Sequence, residues 1–423
     1  MTIIYSTLDA LSEKLTLQKK KIDSTCFFSN VQWYQNYITT VANKVDIEYG
    51  FLLDESYDGQ INFYLPFQYD KESKVLKSLT NYYTPFFELT FVNSSRDDKK
   101  GLFSFFSHLK DIHYDWDVLE LRPLSTEDCK VLSNSLKKSG IPVVEFFCFG
   151  NWYVEVRGRS FDEYFESLSS RVKNTVKRKS NKFKKIDGSR VDIVTEYSEL
   201  DKAISAYEKV YNSSWKVTEP YPEFIPGLIR TAERCGALRL GLAYIGDEVI
   251  AAQLWIVADN TAYIFKLAYD ESYKKLSAGT ILTTTLMKHV INVDKVAVVD
   301  YLCGDDPYKK EWMSSRRERW GVMAFNTSTP RGMLEMIRHK SVYYIKQLVD
   351  FEVSAFFLVD EEDSSFFLAD CNVAKDIFDA EMLKDELIEK GEFAWALSQN
   401  RAVIIEGEHY KRKLFLHVLT TKK

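Results

Sequence analysis

A chain of 423 residues with 45% hydrophobic content can bury large cores and is long enough for two or three domains rather than one. No run of 18 apolar residues occurs, and the opening MTIIYSTLDALSEKL lacks a cationic start followed by an apolar stretch, so neither a transmembrane helix nor a signal peptide is expected and a cytoplasmic location is. Six cysteines without a CxxC pair, the nearest two (Cys129 and Cys148) 19 residues apart, and six scattered histidines argue against a zinc cage, a disulfide framework or another metal site.

Hydrophobic periodicity predicts a helix at 29–42, strands at 47–53, 61–67 and 88–92, a helix at 102–110, a strand at 116–121, a helix at 126–138 and strands at 143–149 and 152–156. Much of that order then repeats. It runs helix (161–185), strand (191–196), helices (200–215, 226–235) and strands (238–244, 249–257, 262–268). A helix from Thr280, a strand ending at Asp300, a helix from Pro307 and a strand at 322–326 complete it. The repeated order predicts a tandem, 1–157 and 158–350. Residues 351–423 read as a small α+β extension, with strands in FEVSAFFLVD, SSFFLAD, AVIIEGE and KLFLHVL and a helical stretch AEMLKDELIEK, suited to covering a sheet edge or meeting a partner.

The net charge of −5 hides a local exception. From Leu168 to Ile186 there is no acidic residue, while Arg171, Lys173, Lys177, Arg178, Lys179, Lys182, Lys184 and Lys185 are all basic. Apolar residues Phe161, Phe165, Leu168, Val172, Val176 and Phe183 recur at helical steps, which predicts one long amphipathic helix with a cationic outer face. Eight like charges repel one another, so the face is either solvated or meets an anionic partner: donor phosphates, a nucleotide-linked sugar, a polyprenyl-phosphate glycan or tRNA. DNA is not expected, because no base-reading motif accompanies the charge.

Turn chemistry is clearest in the second half. Gly246-Asp247 and Asp259-Asn260 separate three β-rich runs as hairpin turns, and Asp306-Pro307 has the form of a helix start with a capping aspartate. Between the strand TAYIFKLAYD and the helical stretch TILTTTLMKHVIN lies KKLSAGT, a small turn at a helix start, where free N–H groups and the helix dipole can hold a phosphate.

The run YDESYKKLSAGTIL, followed by VVDYLCGDDPYKKEW, resembles the acyltransferase domain of the CelD-like (cellulose-biosynthesis-type) branch of the GNAT superfamily. ESLSSRVKNTVKRKSNKFKK resembles that branch's arginine- and lysine-rich helix and FFSNVQWYQNYI its N-terminal motif, so the similarity runs from Phe27 to Lys340. The resemblance implies an α+β fold of tandem GNAT-like domains, also seen in Fem-type aminoacyltransferases, each a mixed, mostly antiparallel sheet flanked by helices. The second domain would hold acetyl-CoA or another acyl-CoA, with Ser277, Ala278, Gly279 and Thr280 at its pyrophosphate and Lys266 beside them. The loop lacks a basic or Gln residue followed by two spaced glycines, which keeps a carrier-protein thioester or an aminoacyl-tRNA open as donor. The acceptor expected is an amine or hydroxyl on a small molecule or a glycan, in polysaccharide or cell-envelope biosynthesis, with transient membrane-surface or carrier-protein contact.

Attack of an amine on a thioester needs a neutral nucleophile, a donor to the oxyanion and a donor to the departing thiolate. A backbone N–H of the strand from Tyr263 to Leu267 could serve the carbonyl. Tyr308, with a phenol pKa of about 10, is the candidate acid, and Asp300 the candidate proton acceptor. Each has a structural alternative: Gly279 as a tight turn, Tyr308 packed on Trp312 one helical turn on, Asp300 as a cap or ion-pair partner, Lys266 as an exposed strand residue. Arg171, Arg178, Lys179, Trp215 and Lys309 are the candidate acceptor contacts. Aromatic residues make up 14% of the chain, mostly for packing, with Trp215, Tyr221 and Trp255 as candidates for stacking on a sugar or gripping an acyl chain. A catalytically degenerate protein that only binds an anion through Arg171, Arg178 and their neighbours is the non-enzyme alternative.

Overall fold

The computed structural model of the chain describes residues 2–17, 26–44, 47–92, 99–109, 112, 114–196, 198, 200–216, 218–348, 353–360, 366–370, 402–405 and 414–420. Two units emerge, Met1–His339 and Lys340–Lys423. The first begins with β1 (Thr2–Ser6), α1 (Leu8–Leu17), α2 (Val31–Thr40), β2 (Glu48–Glu55), β3 (Ile61–Asp70), β4 (Val75–Ser78) and β5 (Thr90–Phe91). Next come α3 (Lys99–Ser107), β6 (Val118–Ser125), α4 (Thr126–Lys138), β7 (Val143–Glu155), α5 (Phe161–Glu166), α6 (Ser170–Lys184), β8 (Ser189–Val194), α7 (Leu200–Asn212) and α8 (Phe224–Arg234). After these come β9 (Leu238–Ile245), β10 (Glu248–Ala258), β11 (Thr261–Tyr269), α9 (Ala278–Asn292), β12 (Val298–Cys303), α10 (Lys309–Trp312), β13 (Ser315–Phe325) and α11 (Pro330–Leu348). No helix among the described residues is long and apolar enough to cross a membrane.

One sheet joins both halves in the order β1-β2-β3-β4-β6-β13-β7-β12-β11-β10-β9-β8, with β5 on β3. Neighbours are antiparallel except β4 with β6 and β11 with β12, which hold corresponding places in the two halves. The run β2-β3-β4, then α3 and β6, is thus matched by β9-β10-β11, then α9 and β12, as the tandem predicts. The expected divide at residues 157 and 158 falls between β7 and α5, inside this unit. The long strands are interleaved: β13 lies between β6 and β7, pairing with β7 from Val143↔Ala324 to Tyr153↔Ser315, while β7 also pairs with β12.

Alternation along the strands sends apolar side chains to both faces. Phe51, Leu53 and Tyr64 join Leu254 and Ile256 in a core with α1, α2, α7 and α8, whereas Leu52, Phe63 and Leu65 pack with α3 and α4 on the other side. Trp255, Ile264 and Val299 form a third core with α5, α6 and α9. Helices of the two halves touch where Asn36 Nδ2 donates to Phe224 O at 3.2 Å. The second unit is a four-stranded antiparallel sheet, β15-β14-β17-β16, from β14 (Val353–Asp360), β15 (Phe366–Asp370), β16 (Ala402–Ile405) and β17 (Leu414–Thr420). The expected helix at 380–390 lies outside the described residues.

Some sequence expectations need correction. The single basic helix 161–185 is two, because Ser160 makes a capping box with Glu163 and Ser169 accepts from the N–H of Val172, restarting the helix as α6. The strands expected on either side of Gly150 are one, β7; no turn occurs there, and Gly150 instead lets the Asp305 carboxylate approach the backbone. Asp306 does not cap a long helix: α10 has four residues, its N-cap is Tyr308 without a side-chain bond, and Asp306 pairs with Lys309 at 3.2 Å.

Candidate active site

The parallel pair β11 and β12 opens after three residues. Its register covers only Thr261↔Val298, Ala262↔Val299 and Tyr263↔Asp300, while β11 runs on to Tyr269. Two local distortions drive the strands apart. On β11 the register with β10 slips, so that Trp255 faces Ile264 and Leu254 faces Lys266, leaving Phe265 as an extra bulged residue. On β12, Leu302 takes the left-handed conformation (φ 57°). Asp300, fully buried, fixes that bend: Oδ1 accepts from the Leu302 N–H at 2.7 Å and from Asn151 Nδ2 at 2.6 Å, and Oδ2 accepts from Arg317. Asn151 Oδ1 in turn accepts from Arg317 Nε at 2.7 Å. Both carboxylate oxygens are therefore engaged.

Between the parted strands lies a cavity of about 220 Å³, walled by Ile264 to Leu267, by Tyr301, Leu302, Cys303, Tyr308 and Lys309, and by Tyr82, Tyr83, Pro85 and Lys216. Backbone of β11 from Ile264 to Leu267 faces it with no strand partner on that side among the described residues. Tyr308 is 44% exposed and meets Tyr301 edge-on at 5.7 Å, not Trp312, which is buried. Burial, then the nearby Asp306, pushes the Tyr308 phenol up to about 12. Lys309 is buried against the carbonyls of Cys303 and Gly304.

Beyond the end of β11 the chain makes a 3-10 turn, Glu271–Leu276, and Ser277 takes a left-handed conformation (φ 56°) that redirects it into α9. No side chain caps α9. The N–H groups of Thr280 and Ile281 return to Ser277 O, at 3.0 and 3.3 Å, while those of Ala278 and Gly279 find no acceptor among the described residues. The turn is held from behind: Gln253 Nε2 donates to Gly279 O at 2.8 Å and to Thr283 Oγ1 at 2.9 Å, and Trp255 Nε1 donates to Gln253 Oε1 at 3.0 Å. A Cβ added at Gly279 would meet only the Tyr269 ring, at 3.7 Å. Half-exposed Trp215 packs on the same ring, with centroids 4.4 Å apart. Trp255 is fully buried, so the expectation that it could stack on a ligand fails; Tyr221 packs edge-on to Tyr83.

At the cavity mouth Lys266 bonds Glu219 Oε1 at 2.7 Å, and Glu219 Oε2 accepts from the hydroxyls of Tyr82 and Tyr83. Burial alone would raise the Glu219 carboxyl, but the bonds from Lys266, Tyr82 and Tyr83 outweigh it and hold the group down to about 2. The cationic helix α6 borders the same region. Lys179 Nζ donates to Lys275 O at 2.7 Å in the turn before α9, and Arg171 lies 3.7 Å from Glu311 in α10. Arg178 is exposed.

The structure thus gathers Lys266, Tyr308 and Lys309 around one cavity, sets Ala278, Gly279 and Trp215 by Tyr269, and leaves Asp300 behind the β12 bend. Sequence reasoning did not single out Tyr82, Tyr83, Lys216, Glu219, Gln253, Asn151 or Arg317. A tyrosine pair in the loop-like NYYTP and a Trp-Lys pair beyond a helix end were signals for Tyr82, Tyr83 and Lys216; Glu219, Gln253, Asn151 and Arg317 carry none.

Comparison with known proteins bears on one segment of the chain and on its fold. Residues 170–310, from the first residue of α6 into α10, match the family model described as an acetyltransferase (GNAT) domain. No curated protein sequence matches the chain significantly. Among solved structures the chain is similar to FemX, at 11% identity and a TM-score of 0.53 over 79% of this chain and 100% of that one. It is also similar to a tandem GNAT protein from the clavulanic acid biosynthesis pathway (9% identity, TM-score 0.44, 76% of this chain and 97% of that one) and to L-PGS from Bacillus licheniformis (9%, 0.45, 69% and 88%). The large mixed sheet flanked by helices is therefore a fold shared with FemX, and the segment that matches the acetyltransferase model lies in the second half.

Proposed function

We propose that the chain is an acyltransferase that moves an acyl group, acetyl first among them, from acyl-CoA to an amine or hydroxyl of a small-molecule or glycan-linked acceptor. One observation carries this reading: a cavity between the parted ends of β11 and β12 lies in the same strand-turn-helix unit as the α9 start, where the Ala278 and Gly279 N–H groups are unclaimed. That helix start suits the donor's diphosphate, and the partnerless edge of β11 suits an extended arm that bonds as an added strand would. The thioester carbonyl then accepts a β11 backbone N–H, which stabilises the oxyanion. The neutral amine forms its bond to the carbonyl carbon, the C–S bond breaks, and the proton shed by the nitrogen ends on the sulfur. Tyr308, kept protonated, donates a hydrogen bond to the departing sulfur. In this reading Asp300 shapes the site by holding the bend at Leu302 rather than taking a proton.

The resemblance of residues 269–282 and 298–312 to the CelD-like branch supports a glycan-linked acceptor in polysaccharide or envelope synthesis. A second reading, an aminoacyl or carrier-bound donor, is favoured by one observation. The exposed cations of α6, among them Lys177, Arg178 and Lys182, come in addition to Lys179, which meets the turn before α9, and are more numerous than a single diphosphate requires. Calorimetric titration with CoA, acyl-carrier protein and charged tRNA, each at two salt concentrations, tests the donor. Micromolar CoA binding with thiol release from acetyl-CoA over an acceptor panel supports the first reading. Salt-dependent binding of tRNA or carrier alone overturns it for the second, and binding with background turnover leaves an anion-binding protein.

A further inference from the structure

Three lysines line the cavity, and two of them are neutralised within the protein. Lys266 is matched by Glu219, and Lys309 by Asp306 and two carbonyls. Glu219 is bonded to Lys266 through one oxygen, and its second oxygen holds Tyr82 and Tyr83. Lys216, in the loop after α7, differs. Its ammonium has no oxygen partner among the described residues, only the rings of Tyr211 and Trp215 at 5.8 and 5.9 Å, the outer limit of a useful cation-ring contact. Burial, then the Lys266 cation, pushes Lys216 down to about 8, with Glu219 pulling the other way. A largely desolvated cation without a directly bonded counter-charge is costly, and an oxyanion placed in the cavity relieves that cost.

The geometry points to Lys216 as the anchor for an anionic group of the acceptor, a carboxylate or phosphate close to its nucleophilic amine or hydroxyl. This rests on the acyl-transfer reading and narrows its substrate class. The acceptor, rather than the donor, is favoured by what shares the cavity with Lys216. Tyr82 and Tyr83 come from the first half of the chain, whereas the donor turn has its own unclaimed N–H groups at Ala278 and Gly279. A preformed cation would fix the orientation of an acidic acceptor and discriminate against neutral amines, which leave it unpaired.

Competitive labelling of the full chain with limiting acetic anhydride, followed by mass spectrometry across pH, reads Lys216 without requiring turnover. Acetate and inorganic phosphate, in separate arms, are expected to raise its apparent pKa and slow its labelling several-fold at pH 8; the stronger arm names the group. Turnover with acetyl-CoA should favour glycine over methylamine, or glucosamine 6-phosphate over glucosamine, by about tenfold in kcat/KM. Lys216→Met should abolish that preference with CoA affinity unchanged, and Lys216→Arg should keep it. Labelling indifferent to both anions, protection by CoA alone, or transfer without preference each overturns the inference. Protection by an anion with no acyl transfer to any acceptor would instead remove the acyl-transfer reading and leave an anion site.

Discussion

Substituting Gly279 should separate donor binding from folding. The residue is not in the left-handed region, and an added Cβ meets only the Tyr269 ring at ordinary contact distance, 3.7 Å. Alanine is better than glycine in a helix by ~1 kcal/mol, so Gly279→Ala should raise Tm by about 1–2 °C; valine, stiff at χ1, keeps about half of that gain. The same methyl groups stand beside the N–H groups of Ala278 and Gly279. If they push the diphosphate off one charge-assisted bond, worth ~1.5–3 kcal/mol, the Kd for CoA weakens about 10- to 150-fold. Isothermal titration with CoA, alongside thermal denaturation of the same samples, gives both numbers. A valine variant that is folded and binds CoA within twofold of the parent chain would refute the placement of the donor on this turn.

Tyr308→Phe should lower kcat by about 10² while CoA affinity stays constant, and full activity would remove the phenol from the reaction. Asp300→Ala leaves Arg317 and the Leu302 N–H without their acceptor and should cost about 3 kcal/mol, read by urea denaturation. Asp300→Asn keeps the Oδ1 bonds and should retain much of the activity; a folded but inactive Asn variant would restore Asp300 as proton acceptor. Because the Glu219 carboxyl is held at about 2 against an ordinary 4.5, its contribution to stability is complete above about pH 4.5 and is lost as the pH falls through 2. The difference in stability between the parent and Glu219→Gln should therefore shrink across that interval.

Local chemistry made the second half readable. Asp259 and Asn260, both left-handed, form the two-residue turn that sets β10 against β11, and the repeated element order is met by the matching runs β2-β3-β4 and β9-β10-β11. The left-handed turn into α9 was legible because glycine, small neighbours and a helix start lie within a few residues. What failed was of two kinds. Short polar signals were outweighed by the pattern around them, as when Ser169 restarted a helix that apolar spacing had drawn as continuous. Partners distant along the chain left no trace: Glu219 meets Tyr82 from 137 residues away, and Asn151 meets Asp300 from 149. A sheet brings such residues together, whereas periodicity reports only on near neighbours.

The interleaving of β7 and β13 has a consequence for how the molecule is made. Arg317 and Asn151, bonded across these strands, are 166 residues apart, so when the early part leaves the ribosome it must wait with β6 and β7 unjoined until nearly all of the later part has been synthesised. Separations of this length slow folding and expose strand edges meanwhile. Neither half can be cut away with its sheet complete, because β13 of the later half fills the place between β6 and β7 of the earlier one.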